Sequence, residues 1–192
     1  MHGHRRLKAL ATAAIVALAA TGCGDDNDAA VTTTTTESQP PPADAGGETV
    51  SITAVNYEFQ GAPTTVAGGS RFTLTNAADD ELHELVAMRL DDDTDLSVEE
   101  LVALPEGEFE QHVAPGPPAM VIIAPPGEEG FPVVGDGTIT EPGRYALVCF
   151  IPTGADPDEY LAAAQEGGEG PPQVEGGPPH FTQGMFAELT VE

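Results

Sequence analysis

Positive charge is what this chain most lacks. Its 192 residues carry six Lys and Arg against 32 Asp and Glu, a formal net charge of −26. Three of the six cations, Arg5, Arg6 and Lys8, lie at the N-terminus; beyond them stand only Arg71, Arg89 and Arg144, and no lysine. Phosphate contacts need Lys or Arg, so such a surface excludes nucleic acid and anionic lipid headgroups as partners. It suits the steering of a cationic partner protein, and it serves solubility equally well. Cysteine is almost absent: there is Cys23 and there is Cys149. No zinc-spaced cluster, no Ser/His/Asp order and no phosphate-cradling glycine loop occurs, and the carboxylates are too scattered to single out an acid–base pair. The apolar stretch Ala9–Ala20 falls short of the roughly 20 residues that span a bilayer as a helix.

That stretch reads as a targeting signal, with Arg5, Arg6 and Lys8 as its basic head. It ends in Ala20-Thr21-Gly22-Cys23, which resembles the lipobox of bacterial lipoproteins, with Ala at position 20 where Leu is commoner. The resemblance implies cleavage before Cys23, acylation of its sulfur and an extracytoplasmic protein anchored in the cell membrane by lipid alone. Two or more acyl chains suffice for stable anchoring where one is marginal. Loss of residues 1–22 removes three cations and no acid, leaving the chain more negative still. Residues 23–48 run from an Asp-rich start through Thr32–Thr36 to Pro40–Pro42 and show no apolar periodicity, the composition of an extended tether. The remainder, 49–192, suits one domain.

The domain reads as strands. Val50–Tyr57 alternates polar and apolar, Ala62–Val66 follows, and Arg71–Asn76 puts Phe72, Leu74 and Asn76 on one face. Leu82–Leu90 is apolar on both faces except at His83, Glu84 and Arg89, which predicts a central strand. Ser97–Leu104 is the one clear helix: Ser97 and Glu100 form a capping box and Pro105 stops it. Ala119–Ala124, Gly137–Glu141, Arg144–Phe150 and Met185–Val191 complete the strands, and Asp156–Ala164 supplies one or two further helical turns. Short strands between Gly/Pro turns predict an all-β, antiparallel Greek-key sandwich with one short helix and long loop insertions.

Within that frame Cys149 closes an apolar strand, and His180 and Met185, spaced His-x4-Met, precede the last one. With Cys23 at the processing site, Cys149 is the only free thiol left. An unpaired thiol in an exported protein invites oxidation unless it is buried or coordinated. A thiolate, two imidazoles and a thioether form the donor set that redox-active copper favours, and His83 offers the second imidazole. Each residue has a plainer reading: Cys149 as a small buried hydrophobe, Met185 as core, His83 as a surface residue among Asp79, Asp80 and Glu81. His112 lies outside the pattern and reads as a surface residue.

Taken together, Asn76…His83, the Pro142-Gly-Arg-Tyr…Cys149 strand and the terminal His180-x4-Met185 resemble the cupredoxins, the blue copper domains of plastocyanin and azurin type, over residues 49–192. The resemblance implies a type 1 copper site with His83, Cys149 and His180 as equatorial ligands and Met185 as the axial one. That ligand set suits a one-electron carrier serving a redox partner protein, and four protein ligands leave no open coordination position for a substrate, so an enzyme is not expected. The domain is expected to be a monomer. Two other roles fit the same residues: a Cu(I) buffering or delivery module, and a metal-free interaction domain. The chain departs from the family in one respect. Thirty residues, Phe150–Pro179, separate Cys149 from His180 where the family has only a few. A tenfold longer loop costs only about 2 kcal/mol of closure entropy, so orientation of His180 is the larger demand, and Pro178-Pro179 stiffens its approach. Gly167–Gly177, without apolar periodicity, is expected to be dispensable.

Overall fold

The computed structural model describes residues 47–105, 107–166 and 170–192. The N-terminal stretch expected to be a targeting signal, Cys23 and nearly all of the expected tether lie outside these residues.

Among the described residues ten strands form two sheets. In chain order they are β1 (Thr49–Val55), β2 (Glu58–Gln60), β3 (Thr65–Val66), β4 (Ser70–Asn76), β5 (His83–Arg89), β6 (Met120–Ala124), β7 (Phe131–Val134), β8 (Thr138–Ile139), β9 (Gly143–Val148) and β10 (Phe186–Val191). The first sheet runs β2-β1-β4-β8 and the second β3-β10-β9-β5-β6-β7. Helix α1 (Val98–Val102) follows β5, and α2 (Pro157–Glu166) lies between β9 and β10. This is the β-sandwich expected. Its pairing is antiparallel except at β1–β4 and β10–β3, which are parallel. Both parallel pairs join strands that are not consecutive in the chain, and such contacts leave no hairpin signal to read.

Alternation sets the core. In β4, Ser70, Phe72, Leu74 and Asn76 are buried while Arg71, Thr73 and Thr75 face water. Val50, Ile52 and Ala54 of β1 pack beside them, in register with Phe72, Leu74 and Asn76. Strand β5 lies between β9 and β6, and His83–Ala87 are buried on both faces, as an apolar run in a central strand should be. The capping box forms: the Glu100 N–H donates to the Ser97 hydroxyl, and the Ser97 N–H donates to the Glu100 carboxylate. Val98 and Leu101 then bury one side of α1. Helix α2 is longer than the one or two turns expected, and it seats Tyr160 completely within the protein. Strand β7 is not among the strands expected from the sequence, because Phe131 and Val133 lie 46% exposed and show no alternation.

The sandwich brings the start of β5, the end of β9 and the approach to β10 to one end of the second sheet. Register states this directly: Val148 pairs with Val86 in β5 and with Phe186 in β10.

Candidate metal centre

His83 opens β5 because the preceding loop is clamped. The Asn76 side-chain amide donates to the carbonyls of Glu81 (2.8 Å) and Ala124 (3.0 Å), and its oxygen accepts the Ala78 N–H at 2.9 Å. These bonds satisfy a buried amide and fix where β5 begins. His83 is fully buried, which removes the surface reading of that residue.

Cys149 follows the last residue of β9, and its N–H still donates to the Met185 carbonyl at 3.2 Å. Its sulfur accepts the Glu84 N–H at 3.4 Å and lies 3.4 Å from His180 Nδ1. His180 returns to this place although thirty residues intervene. The chain on the two sides of the insertion pairs with itself: Phe181 N–H donates to Cys149 O, His180 N–H to Ile151 O, Thr153 N–H to Pro178 O and Gly177 N–H to Thr153 O. The insertion therefore grows from the tip of a hydrogen-bonded ladder, and loop length has no bearing on where His180 sits. The same ladder corrects the expectation that all of Gly167–Gly177 is dispensable. Gly177 is one of its rungs, a side chain at Gly176 would meet Pro152, and Val174 packs on the core. After a short 3-10 turn over His180–Gln183, Gly184 takes a left-handed conformation (φ 111°), and the Met185 N–H donates back to the His180 carbonyl. Met185 is fully buried, bonded through its backbone to both Cys149 and His180.

Among the described residues one group of His, Cys and acidic side chains converges closely enough to hold a metal ion: His83, Cys149 and His180, all buried, with ligand atoms within 4.8 Å of one another. His83 Nδ1 and His180 Nδ1 stand 3.2 Å apart. Two imidazole nitrogens at that distance either share one proton or turn both lone pairs onto one cation. Ligands about 2.0–2.3 Å from a first-row ion are spaced roughly 3.3–3.8 Å from each other in near-tetrahedral geometry, and the 3.2 and 3.4 Å separations lie close to the lower end of that range.

Electrostatics suits a metal as well. Burial, with a smaller contribution from the neighbouring His180, lowers the His83 pKa to about 4, so the ring is a neutral donor at neutral pH. Burial lowers His180 too, opposed by the Glu81 carboxylate. Cys149 is pushed well above the usual thiol range, first by burial and then by Glu84, so without an ion its sulfur keeps a proton. His180 Nε2 lies 3.4 Å from Glu81 Oε2, but the alignment is too poor for a hydrogen bond, and the contact is one of charge proximity. Glu81 itself accepts the Tyr57 hydroxyl and the Gly154 N–H, while the Tyr57 ring meets His180 edge-on with centroids 4.9 Å apart. Tyr57 does so at φ 67°, the one described non-glycine residue in the left-handed region.

No protein-family profile matches the sequence, and no curated protein matches it. Among solved structures the chain is similar to the dithionite-reduced auracyanin of the photosynthetic bacterium Roseiflexus castenholzii, at 19% identity over 77% of this chain and 98% of that one, with a TM-score of 0.42. It is similar also to auracyanin B, at 17% identity over 76% of this chain and 88% of that one, with a TM-score of 0.39.

Sequence reasoning nominated the three converging residues and Met185, and set His112 aside. His112 indeed lies elsewhere, its Nδ1 3.0 Å from the Thr94 hydroxyl. The residues around the centre, Tyr57, Glu81, Glu84 and Tyr160, were not nominated. Only Glu84 left a signal, as an acid inside an apolar central strand.

Proposed function

We propose that this protein is a cupredoxin-type carrier that binds one copper ion through His83, Cys149 and His180, with Met185 as a weak fourth donor. The reading rests on a single observation: two imidazole nitrogens and a thiol sulfur, drawn from three separate elements, meet in a buried site with coordination spacing. Thiolate and imidazole together suit copper in both oxidation states, and copper held there would supply a one-electron couple. The protein's own part is to present the ligands already in place. His83 is neutral down to acid pH, Cys149 gives up its proton on binding, and the Glu84 N–H donates to the sulfur. Burial of all three ligands excludes water, and rigid backbone bonds on each side of the site limit rearrangement when the charge changes. A sealed site also favours electron transfer over turnover of a substrate or hand-over of the metal, because an electron can cross a buried shell and a molecule cannot.

On this reading Cys23 carries acyl chains that hold the protein at the extracytoplasmic face of the cell membrane, and the 23–48 segment gives it reach. The acidic surface draws a cationic redox partner. The test is the visible spectrum of the purified chain after addition of Cu(II). An intense thiolate-to-copper charge-transfer band is expected, lost in Cys149→Ser with the fold retained. Tight Cu(I) binding without that band would favour the buffering role, and no copper binding at all would leave the metal-free interaction domain.

A further inference from the structure

Glu84 is the only buried Asp or Glu among the described residues. A buried carboxylate is costly unless hydrogen bonds replace its water, and here each oxygen has one. Oε1 accepts the Phe150 N–H at 3.2 Å and Oε2 accepts the Tyr160 hydroxyl at 3.0 Å. These partners are informative. Phe150 directly follows Cys149, and Glu84's own N–H is the donor to the Cys149 sulfur. Tyr160 belongs to α2, inside the insertion, and is fully buried. If α2 were only a lengthened loop, Leu161 and Ala164, which pack on the core, would seat it, and a phenylalanine would fill the Tyr160 site as well. The hydroxyl is instead committed to a carboxylate whose other oxygen holds the chain just past the ligand sulfur.

We propose that Glu84 and Tyr160 are positioning residues of the metal centre: the chain Tyr160–Glu84–Phe150 fixes the backbone that flanks the Cys149 sulfur and makes the insertion part of the centre's frame. The proposal deepens the copper reading, and one of its two tests does not depend on that reading.

Both tests use the full-length chain carrying Cys23→Ser, so that Cys149 is its only thiol. Without metal, the rate at which a maleimide labels Cys149 reports how often the sulfur is uncovered. Tyr160→Phe removes one hydroxyl and keeps the ring, leaving a buried carboxyl oxygen without its donor, and should speed labelling about tenfold. Glu84→Gln keeps an oxygen for Phe150 and an amide for Tyr160, and should label close to the wild-type rate. With Cu(II), Tyr160→Phe should shift the charge-transfer band and the reduction potential, whereas Leu161→Ala, which loosens α2 without touching the hydroxyl, should move neither. Wild-type labelling and an unmoved band in Tyr160→Phe would overturn the proposal, as would Leu161→Ala reproducing both effects. Should the wild type itself give no band, the copper reading fails, and the labelling rates of Tyr160→Phe and Leu161→Ala still decide the role of the strut.

Discussion

Metal loading should release protons in a number that the burial of three side chains fixes. Zinc is the useful probe, because it accepts two imidazoles and a thiolate and has no redox chemistry with the thiol. Before loading, Cys149 holds a proton throughout the range from pH 6 to pH 8, since burial and Glu84 push its pKa far above neutrality. His83, with a pKa of about 4, holds none, and burial likewise lowers His180. Glu84 is the variable group: burial raises its pKa to about 7. Exchange of a thiol proton for a divalent ion adds one positive charge beside it, which favours its ionised form. At pH 8 only about a tenth of Glu84 remains protonated, and at pH 6 about nine-tenths. Zinc should therefore displace close to one proton at pH 8 and approach two at pH 6.

Titration calorimetry in two buffers of different ionisation enthalpy measures this number directly. The pH dependence of affinity gives it independently, because the apparent constant changes about tenfold per pH unit for each proton released. In Glu84→Gln the count should stay near one at both pH values. Two ordinary imidazoles would instead each hold about three-quarters of a proton at pH 6, and the total would exceed two. A count above two at pH 6 would refute the neutral, buried histidines; a count near zero at pH 8 would refute coordination by Cys149. A wild-type count flat at one would refute electrostatic coupling of Glu84 to the site.

The same groups set the acid stability of the metal-free protein. His83 has a folded pKa of about 4 below its ordinary 6.5, so its contribution is full above pH 6.5 and is lost as pH falls toward 4, by at most about 3 kcal/mol. Glu84 works oppositely: its folded pKa of about 7 exceeds 4.5, so its contribution is greatest below pH 4.5 and is lost as pH rises to 7. Urea unfolding of Glu84→Gln should thus lose more stability than wild type between pH 6.5 and 4.5, and parallel curves would count against the assignment. Replacing Gly170–Gln173 with a Ser/Gly run of equal length should leave the copper band unchanged. Replacing Val174–Gly177 should broaden or abolish it, because those residues pack on the core and carry a ladder rung. At the other end of the chain, wild type should partition with membranes and Cys23→Ala should not. Equal membrane association of both forms, with an unmodified wild-type N-terminus, would exclude the lipid anchor.

Local features were legible where a short stretch of chain carried the whole signal. The alternation of Phe72, Leu74 and Asn76 with Arg71, Thr73 and Thr75 is complete within seven residues, and the Ser97–Glu100 box within four. The three converging residues, His83, Cys149 and His180, stood out because their chemistry is scarce in this chain: one thiol besides Cys23, and few histidines. Pairings between distant segments left no such trace. The parallel β1–β4 and β10–β3 contacts depend on which strands the sandwich brings side by side, and neither strand of a pair reveals its partner. The residues that surround the candidate ligands were hidden for the same reason, since Tyr57, Glu81 and Tyr160 read as ordinary loop or helix residues until the fold assembles them.

The thirty-residue separation of Cys149 from His180 shows how such a distance should be judged. Counted along the chain it resembles a long, poorly directed loop, and closure entropy weighs only slightly for or against a site. What decides the matter is where ordered pairing stops. Backbone bonds continue past Cys149 as far as Thr153 and resume at Gly177, so His180 and Cys149 lie on facing arms of one ladder. In the structure their separation is one hydrogen-bonded pair, Phe181 N–H to Cys149 O. The arms carry prolines at 152, 178 and 179, residues that sequence reading assigns to loops because they cannot donate to a ladder. Here they cost nothing in that respect, since Pro178 enters the ladder through its carbonyl alone, accepting the Thr153 N–H. An insertion at the tip of such a ladder leaves the candidate ligands in place, and this one adds to them the helix that carries Tyr160.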